Sequence, residues 1–334
     1  MMNRIQKAAA TLRGKGSFFL ATHRHPDGDG LGSTLALAQV LIEMGKRVVI
    51  HAPEPAPRLY RFLPGIERLD TRGAEGCEVA IVLDCGSLAR VGPLAPELAG
   101  HPLLINIDHH QTGGGFGHLE LVDGTSCATG EIVHRLIRAL PWPISGSVAL
   151  NLYVAVASDT GNFANANTNA RAFELAAEMV ALGVKPIDVA RHLFDDYSVA
   201  KLRLLGLMLG SLEILEGGRL AVLSVTRRML ETAEADLEDS AGLINQVSSM
   251  AGVEVIALMT EDEAGGIEVS LRSRNGINVA SVAERLGGGG HPNAAGLRLE
   301  APLKSARRQL VSALGAAIEG TAPAGMSTEG EVAV

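Results

Sequence analysis

The sequence predicts an α/β protein in two parts: an N-terminal domain built on a parallel sheet, then a smaller C-terminal α/β domain with a mixed sheet. Three observations lead there. Short apolar runs rich in Val, Ile and Leu alternate with helical patterns through the first half, as strands covered on both faces do. A second region starts near Val199, where Lys201–Leu215 reads as an amphipathic helix. A chain of 334 residues is also long enough for two separate cores.

Taken in order, the first-half strands are expected at Ser17–Thr22, Arg47–His51, Val79–Leu83, Leu103–Ile107 and Leu152–Ala157. Helical periodicity lies between them at Leu31–Met44, Gly130–Ala139 and Ala170–Leu182. Lys201–Leu215 reads as an amphipathic connecting helix whose apolar face offers a surface for a homodimer. Strands follow near Leu220–Thr226, Val253–Met259 and Ile267–Arg272, then a helix at Val279–Leu286. A glycine run, Gly287–Gly290, leads to a last strand at Gly296–Leu299 and a closing helix at Leu303–Ile318. The expected limits are therefore 1–190, a connector at 191–215, 216–319, and a disordered tail at 320–334. Aromatic residues are only 3%, so the cores must be built from Ala, Val, Leu and Ile.

Composition excludes several classes. The formal charge is −8 and no basic run occurs, whereas tracking a long nucleic acid needs many phosphate-neutralising Lys and Arg residues. Any nucleic-acid substrate is expected to be short. Cys77, Cys85 and Cys127 form neither a disulfide framework nor a CxxC site, and suit a reducing cytoplasm as small buried hydrophobes. The first residues lack the apolar core of a signal peptide, and no apolar stretch approaches membrane-spanning length.

The acids and histidines fall in a pattern. The first strand runs into His23-Arg-His-Pro-Asp27-Gly-Asp29; the third expected strand ends at Asp84, the fourth at Asp108-His109-His110, the fifth at Asp159. Carboxyl ends of parallel strands are where open sheets bind ligands. So many acids at one edge would repel each other unless cations neutralised them. Carboxylate and imidazole ligands without thiolate favour Mn²⁺ or Mg²⁺, and imidazole tilts the choice to Mn²⁺. Four aspartates (Asp27, Asp29, Asp84, Asp159) would balance two such ions.

A dinucleotide-binding turn is the rival reading, because Gly28, Gly30 and Gly32 open a helix after a strand. It fails at Ser33, where G-x-G-x-x-G needs glycine, and on Asp27 and Asp29, which would sit where a pyrophosphate must lie. No GxxxxGK[ST] occurs. The second glycine cluster, GGGGHPNAAG, carries Gly288, Gly289, Gly290 and His291 between a helix and a strand. Successive backbone N–H groups there, with His291 and the nearby Arg272, suit a phosphate.

The ordered set HxxPDxD, Asp84 in VLDCGS, Asp108-His109-His110 and Asp159 in SDTGNF resembles the four motifs of DHH-family phosphoesterases. GGGGHPNAAG resembles the motif of the DHH-associated substrate domain, so the likeness covers about residues 5–318. The resemblance implies that His23 and Asp27 hold one Mn²⁺, that Asp29 and His109 hold the other, and that Asp84 and Asp159 contact or bridge both. It implies that Asp108 orients the histidine pair, that His110 faces the substrate phosphate, and that Arg272 and His291 bind the phosphate or the far end of a nucleotide. His25, His51, His101, His118, His134 and His192 stand outside every motif, with His25 expected as a partly exposed loop residue. Asn162 departs from the family, where Arg is common.

Within the family, the single-strand DNA exonucleases are longer, the pyrophosphatases lack the GGGGH loop, and the membrane-bound cyclic-dinucleotide phosphodiesterases carry transmembrane helices. What remains resembles the oligoribonuclease and 3′-phosphoadenosine-5′-phosphate (pAp) phosphatase branch. Its implied substrates are short RNA and nucleotide bisphosphates, clamped by the second domain. A phosphodiesterase for linear or cyclic dinucleotides such as pApA or c-di-AMP is the enzymatic alternative, and a non-catalytic nucleotide-binding regulator the other. Against the regulator, no expected ligand is missing.

Overall fold

The computed structural model describes residues 1–110, 115–195, 197–248, 250–262, 264–274 and 276–320. From residue 321 the expected tail lies outside them. The chain divides into two compact units, Met1–Asp196 and Tyr197–Val334.

The first unit carries strands β1 (Ser17–Ala21), β2 (Arg47–His51), β3 (Leu69–Asp70), β4 (Val79–Leu83), β5 (Leu104–Asp108) and β6 (Leu119–Val122). All neighbours are parallel, in the order β3-β2-β1-β4-β5-β6. The chain builds outward from β1, returns to place β4 beside it, and builds outward the other way. That reversal makes the carboxyl ends of β1 and β4 the switch point, where such a sheet opens a crevice. Phe18 and Leu20 of β1 enter one core while Phe19 and Ala21 enter another on the opposite face. Burial on both faces is why β1 and β4 read as unbroken apolar runs.

The fifth expected strand is a correction. Leu152–Ala157 lies inside the helix Gly146–Asp159, capped by Ser145, whose side chain accepts from the Val148 N–H. The helix is buried from Val148 to Ala157 apart from half-buried Leu150, so it shows little of the polar stripe that marks a helix in sequence. Asp159 is therefore delivered by a helix terminus, and only three strands deliver site residues.

Glycine makes the helix packing possible. A Cβ at Gly32 would lie 2.5 Å from the Asn151 carbonyl oxygen, one at Gly28 2.5 Å from Ser158 Oγ, and one at Gly130 2.6 Å from Ala155 Cβ. The helices Gly28–Glu43 and Thr129–Arg138 thus both close onto Gly146–Asp159, and the termini carrying Asp29 and Asp159 meet. Close helix approach is what the Gly28 and Gly32 pair serves. Gly32→Ala forces the backbones apart; we expect a loss of about 1–3 kcal/mol of stability together with weakened metal binding. Thermal melts and Mn²⁺ titration of the variant check both, and wild-type values for each would contradict this packing role.

The second unit carries β7 (Glu213–Leu215), β8 (Leu220–Val225), β9 (Val255–Glu261), β10 (Ile267–Ser273), β11 (Gly289–His291) and β12 (Ala294–Leu299), in the order β11-β12-β10-β9-β8-β7. Only β8 and β9 pair in parallel, so the sheet is mixed as expected. The helices Val279–Arg285 and Leu303–Glu319 bury one face. On the other lie Leu204 and Met208 of the helix Val199–Leu209, which stops short of the expected Leu215 because Glu213–Leu215 pairs as β7. That helix belongs to the core of the second unit, although Val199, Leu202 and Leu209 stay exposed. No helix among the described residues is long and apolar enough to cross a membrane.

Candidate metal centre

Three strand ends and two helix termini converge at the switch point. His23 follows β1, Asp84 follows β4, and Asp108 ends β5 before His109 and His110. Asp27 caps the helix Gly28–Glu43: its Oδ1 accepts from the backbone N–H groups of Asp29 (3.1 Å) and Gly30 (3.0 Å). This cap turns the carboxylates of Asp27 and Asp29 toward the same crevice. Asp84 adopts φ +58°, a left-handed conformation uncommon outside glycine, so the chain turns sharply where its carboxylate enters the site.

Asp84 is the hub. Its Oδ2 lies 3.5 Å from His23 Nε2, and its Oδ1 lies 3.7 Å from His109 Nε2. His23 Nε2 also lies 3.8 Å from Asp27, while His109 Nε2 lies 3.8 Å from Asp29 and 3.7 Å from Asp159. These separations are too long for good hydrogen bonds. They approach the roughly 3–3.5 Å between two ligands that each stand about 2.1 Å from one shared ion. Ligand atoms of His23, Asp27 and Asp84 gather on one side, and those of Asp29, Asp84 and His109 on the other. The donors are oxygen and imidazole nitrogen only, so the set fits two divalent cations of the Mn²⁺ or Mg²⁺ kind. All six expected ligands are therefore brought together.

The histidines are oriented from behind. His23 Nδ1 is 2.7 Å from the Arg24 carbonyl, which accepts its proton and leaves Nε2 for the site. The expectation that Asp108 orients both histidines is narrowed: its Oδ1 holds His110 Nδ1 at 2.6 Å, whereas His109 Nδ1 faces the Ser126 carbonyl at 3.4 Å. His25 is exposed, as expected, with Nδ1 3.1 Å from Glu54.

The electrostatics reflect crowded acids. Burial and the charges of Asp84, Asp159 and Asp27 push Asp29 well above the usual carboxylate range, although Ser33, Thr129 and Gly130 all donate to it. Burial, Asp84 and Asp27 push Asp159 up likewise. Burial also opposes the charged form of Asp84, but His23, His110 and His109 hold it well below that range. Burial would lower His23, yet Asp27 and Asp84 raise it to about 10. Acids driven in opposite directions within one cluster are what a pair of dications resolves.

Several supporting residues escaped the sequence reading. Thr129 and Gly130, opening the helix Thr129–Arg138, donate their N–H groups to the two oxygens of Asp29 at 2.6 and 2.9 Å. Thr129 Oγ1 donates to Asp84 at 3.1 Å. Asn167 donates to Asp159 Oδ2 at 3.0 Å and to the Cys127 carbonyl at 2.8 Å, so it positions Asp159. Behind them Glu131, only 2% exposed, accepts from Cys127 N–H at 2.9 Å and Arg171 Nε at 2.6 Å. The N-cap of this helix is Ala128, so the sequence offers no capping box that would have flagged the turn. Glu131 is buried while Arg171 is about half exposed, so removing the Glu131 charge is expected to destabilise by about 1–3 kcal/mol. Glu131→Gln, followed by thermal melts and Mn²⁺ titration, should lower both stability and metal affinity; loss of stability alone would separate the brace from the metal centre.

In the second unit, Arg272, Ala294 and His291 lie opposite one another across β10, β12 and β11, which puts Arg272 and His291 on one face. Arg272 is held by neutral acceptors, Asn245 Oδ1 at 3.2 Å and the Leu271 carbonyl at 3.0 Å, and burial lowers its pKa. No carboxylate pairs with it among the described residues. The glycine run is less open than expected. Gly288 donates its N–H to the Ala283 carbonyl at 2.8 Å, and Gly289–His291 pair with β12. A Cβ at Gly288 or Gly290 would overlap β12, so close strand packing requires those two glycines, while Gly289 has open space.

Comparison with known proteins agrees with this architecture. The DHH family, N-terminal domain, matches residues 17–156, and the DHHA1 domain matches residues 217–320. The chain is 34% identical over 290 residues to the Bifunctional oligoribonuclease and PAP phosphatase NrnA of Thermus thermophilus, covering 86% of this chain and 85% of that one. It is 27% identical over 322 residues to the Cyclic-di-AMP phosphodiesterase PdeA of Listeria monocytogenes, covering 89% of this chain but 47% of that longer one. Among solved structures, an exopolyphosphatase-related protein from Bacteroides fragilis superposes with a TM-score of 0.87 at 25% identity, covering 94% of this chain and 96% of that one.

Proposed function

The chain belongs to the DHH family of phosphoesterases and is a hydrolase, and from that premise we propose that it cleaves short oligoribonucleotides to nucleoside 5′-monophosphates and removes the 3′-phosphate of pAp. The observation that carries this reading is the double cluster around Asp84, with His23 and Asp27 on one side and Asp29, His109 and Asp159 on the other. It is joined by a relative of nearly equal length whose name states both activities.

Two Mn²⁺ ions held by these six residues would supply Lewis acidity and lower the pKa of an attacking water. The rest falls to the chain's own side chains. Asp108 fixes the His110 ring through Nδ1, so that Nε2 can donate to a phosphate oxygen as charge develops there. Thr129, Gly130 and Ser33 keep Asp29 from rotating away, and Asn167 does the same for Asp159. Arg272 and His291 take the substrate's distal phosphate or nucleotide. Arg272 suits this because a half-buried guanidinium beside neutral acceptors gains from an incoming anion. The chain's negative charge and lack of a basic track favour short substrates over long ones.

The likeness to PdeA supports a second reading, a phosphodiesterase for linear or cyclic dinucleotides at the same site. One panel separates them: Mn²⁺-loaded protein offered a diribonucleotide, a 24-mer RNA, pAp, c-di-AMP and pyrophosphate. We expect the diribonucleotide and pAp to turn over fastest. Faster hydrolysis of the 24-mer would refute the short-substrate claim, and faster hydrolysis of c-di-AMP would establish the second reading. Arg272→Ala should raise KM by about tenfold or more with bound metal unchanged.

A further inference from the structure

Tyr60 belongs to none of the motifs, yet it packs against the chain neighbours of two metal ligands. It closes the helical turn Arg58–Tyr60 in the connection from β2 to β3. Tyr60 and Leu63 are both buried in the core that holds the helices Gly28–Glu43 and Gly146–Asp159. The turn is fixed by its backbone. Tyr60 N–H donates to the Pro57 carbonyl at 2.9 Å, and Leu63 N–H donates to the Tyr60 carbonyl at 3.0 Å. Asn151 Nδ2 donates to the Pro64 carbonyl at 3.1 Å, which pins the loop to the helix that ends at Asp159.

The ring sits where the two ligand-bearing helix termini meet. A Cβ at Gly28 would lie 3.0 Å from Tyr60 Cε1 and 2.5 Å from Ser158 Oγ, so all three share one contact. The Tyr60 hydroxyl pairs with the Ser158 side chain and accepts from the Gly28 N–H. A helix start leaves four such donors without an internal partner. Asp27 Oδ1 takes those of Asp29 and Gly30, and Tyr60 takes the one on the peptide that joins Asp27 to Gly28. Burial, with the charge of Asp27, pushes the Tyr60 pKa up to about 12, so the phenol keeps its proton at neutral pH.

Gly28 directly follows Asp27, and Ser158 directly precedes Asp159. Asp27 stands with His23 in one half of the cluster, and Asp159 lies 3.7 Å from His109 in the other. Two cations act on one phosphate only at a set separation, about 3.5–4 Å in two-metal sites.

We propose that Tyr60 is a positioning residue of the metal centre: by joining Gly28 to Ser158 it fixes the distance between Asp27 and Asp159, and with it the spacing of the two cations. This rests on the two-cation reading of the site given above.

The test compares wild type, Tyr60→Phe, Ser158→Ala and the double variant by Mn²⁺ titration and by melting in chelator and in Mn²⁺. Phenylalanine keeps the ring against Gly28 and removes only the hydroxyl. We expect either single change to weaken Mn²⁺ binding about three- to tenfold. The double variant should bind about as weakly as either single one, because all three lack the same join. Melting temperatures in chelator should stay within about 5 °C of the wild type, while the rise on adding Mn²⁺ shrinks. Wild-type Mn²⁺ affinity in Tyr60→Phe would overturn the proposal, whatever happens to its stability. So would losses that multiply in the double variant, which would make each residue a separate support for packing. A wild type that binds no Mn²⁺ would refute the two-cation reading itself, so the two failures are told apart.

Discussion

Asp84→Asn is expected to abolish hydrolysis, lowering kcat/KM by at least about 10³-fold, while the fold is retained. Asp84 approaches His23 through one oxygen and His109 through the other. An amide keeps the size of the side chain and can still accept from Thr129, so packing is preserved. What disappears is the negative charge and one cation-binding oxygen at the point shared by both halves of the cluster. Both halves should fail together, with Mn²⁺ affinity falling alongside the rate. Steady-state kinetics on a diribonucleotide, Mn²⁺ titration and circular dichroism check this. More than about a tenth of wild-type activity would remove Asp84 from the shared position.

Stripping divalent cations is expected to lower the melting temperature of the wild type, and Asp159→Asn is expected to cancel most of that difference from the metal-free side. A cation present at about a hundred times its dissociation constant adds about 2.7 kcal/mol, or about 5–10 °C for a unit of this size. Without cations, burial and the neighbouring Asp84 and Asp27 make a charged Asp159 costly. The neutral amide avoids that penalty and can still accept from Asn167. Metal-free Asp159→Asn should therefore melt at or above the metal-free wild type, with a much smaller rise on adding Mn²⁺. Calorimetry in chelator and in Mn²⁺ measures both differences. A metal-free variant clearly less stable than metal-free wild type would show that Asp159 serves packing and not cation binding.

The ligand set was legible because each ligand follows a short, fully apolar strand or a capping turn, and such junctions keep their order along the chain. That order and the switch-point rule bring His23, Asp27, Asp29, Asp84 and His109 to one edge, while their division into two ligand groups came from the family resemblance. Asp159 lies beside His109, as expected, but at the end of a helix instead of a strand. A helix buried nearly all round loses the polar stripe that distinguishes it from a strand, and Leu-Tyr-Val-Ala-Val-Ala suits either. Strands β3, β6, β7 and β11 were missed because two to four residues carry almost no periodicity. The supporting polar groups were out of reach for a different reason. Glu131 and Arg171 are partners only after helices pack, and neither residue type nor local spacing announces a partner 40 residues away; Asn167 reaches Asp159 across eight residues only because the turn between their helices folds back. The glycines show the reverse case. Gly28, Gly30 and Gly32 were visible as a cluster, but whether they served a pyrophosphate or a helix contact was decided by what a Cβ would strike, Ser158 at one end and the Asn151 backbone at the other.

The central claim is a pair of cations organised around Asp84, and anomalous diffraction from crystals grown with Mn²⁺ tests it most directly. The account predicts two anomalous peaks per chain, one bordered by His23 and Asp27, the other by Asp29 and His109, with Asp84 reaching both. A single peak, or peaks away from these residues, would contradict it.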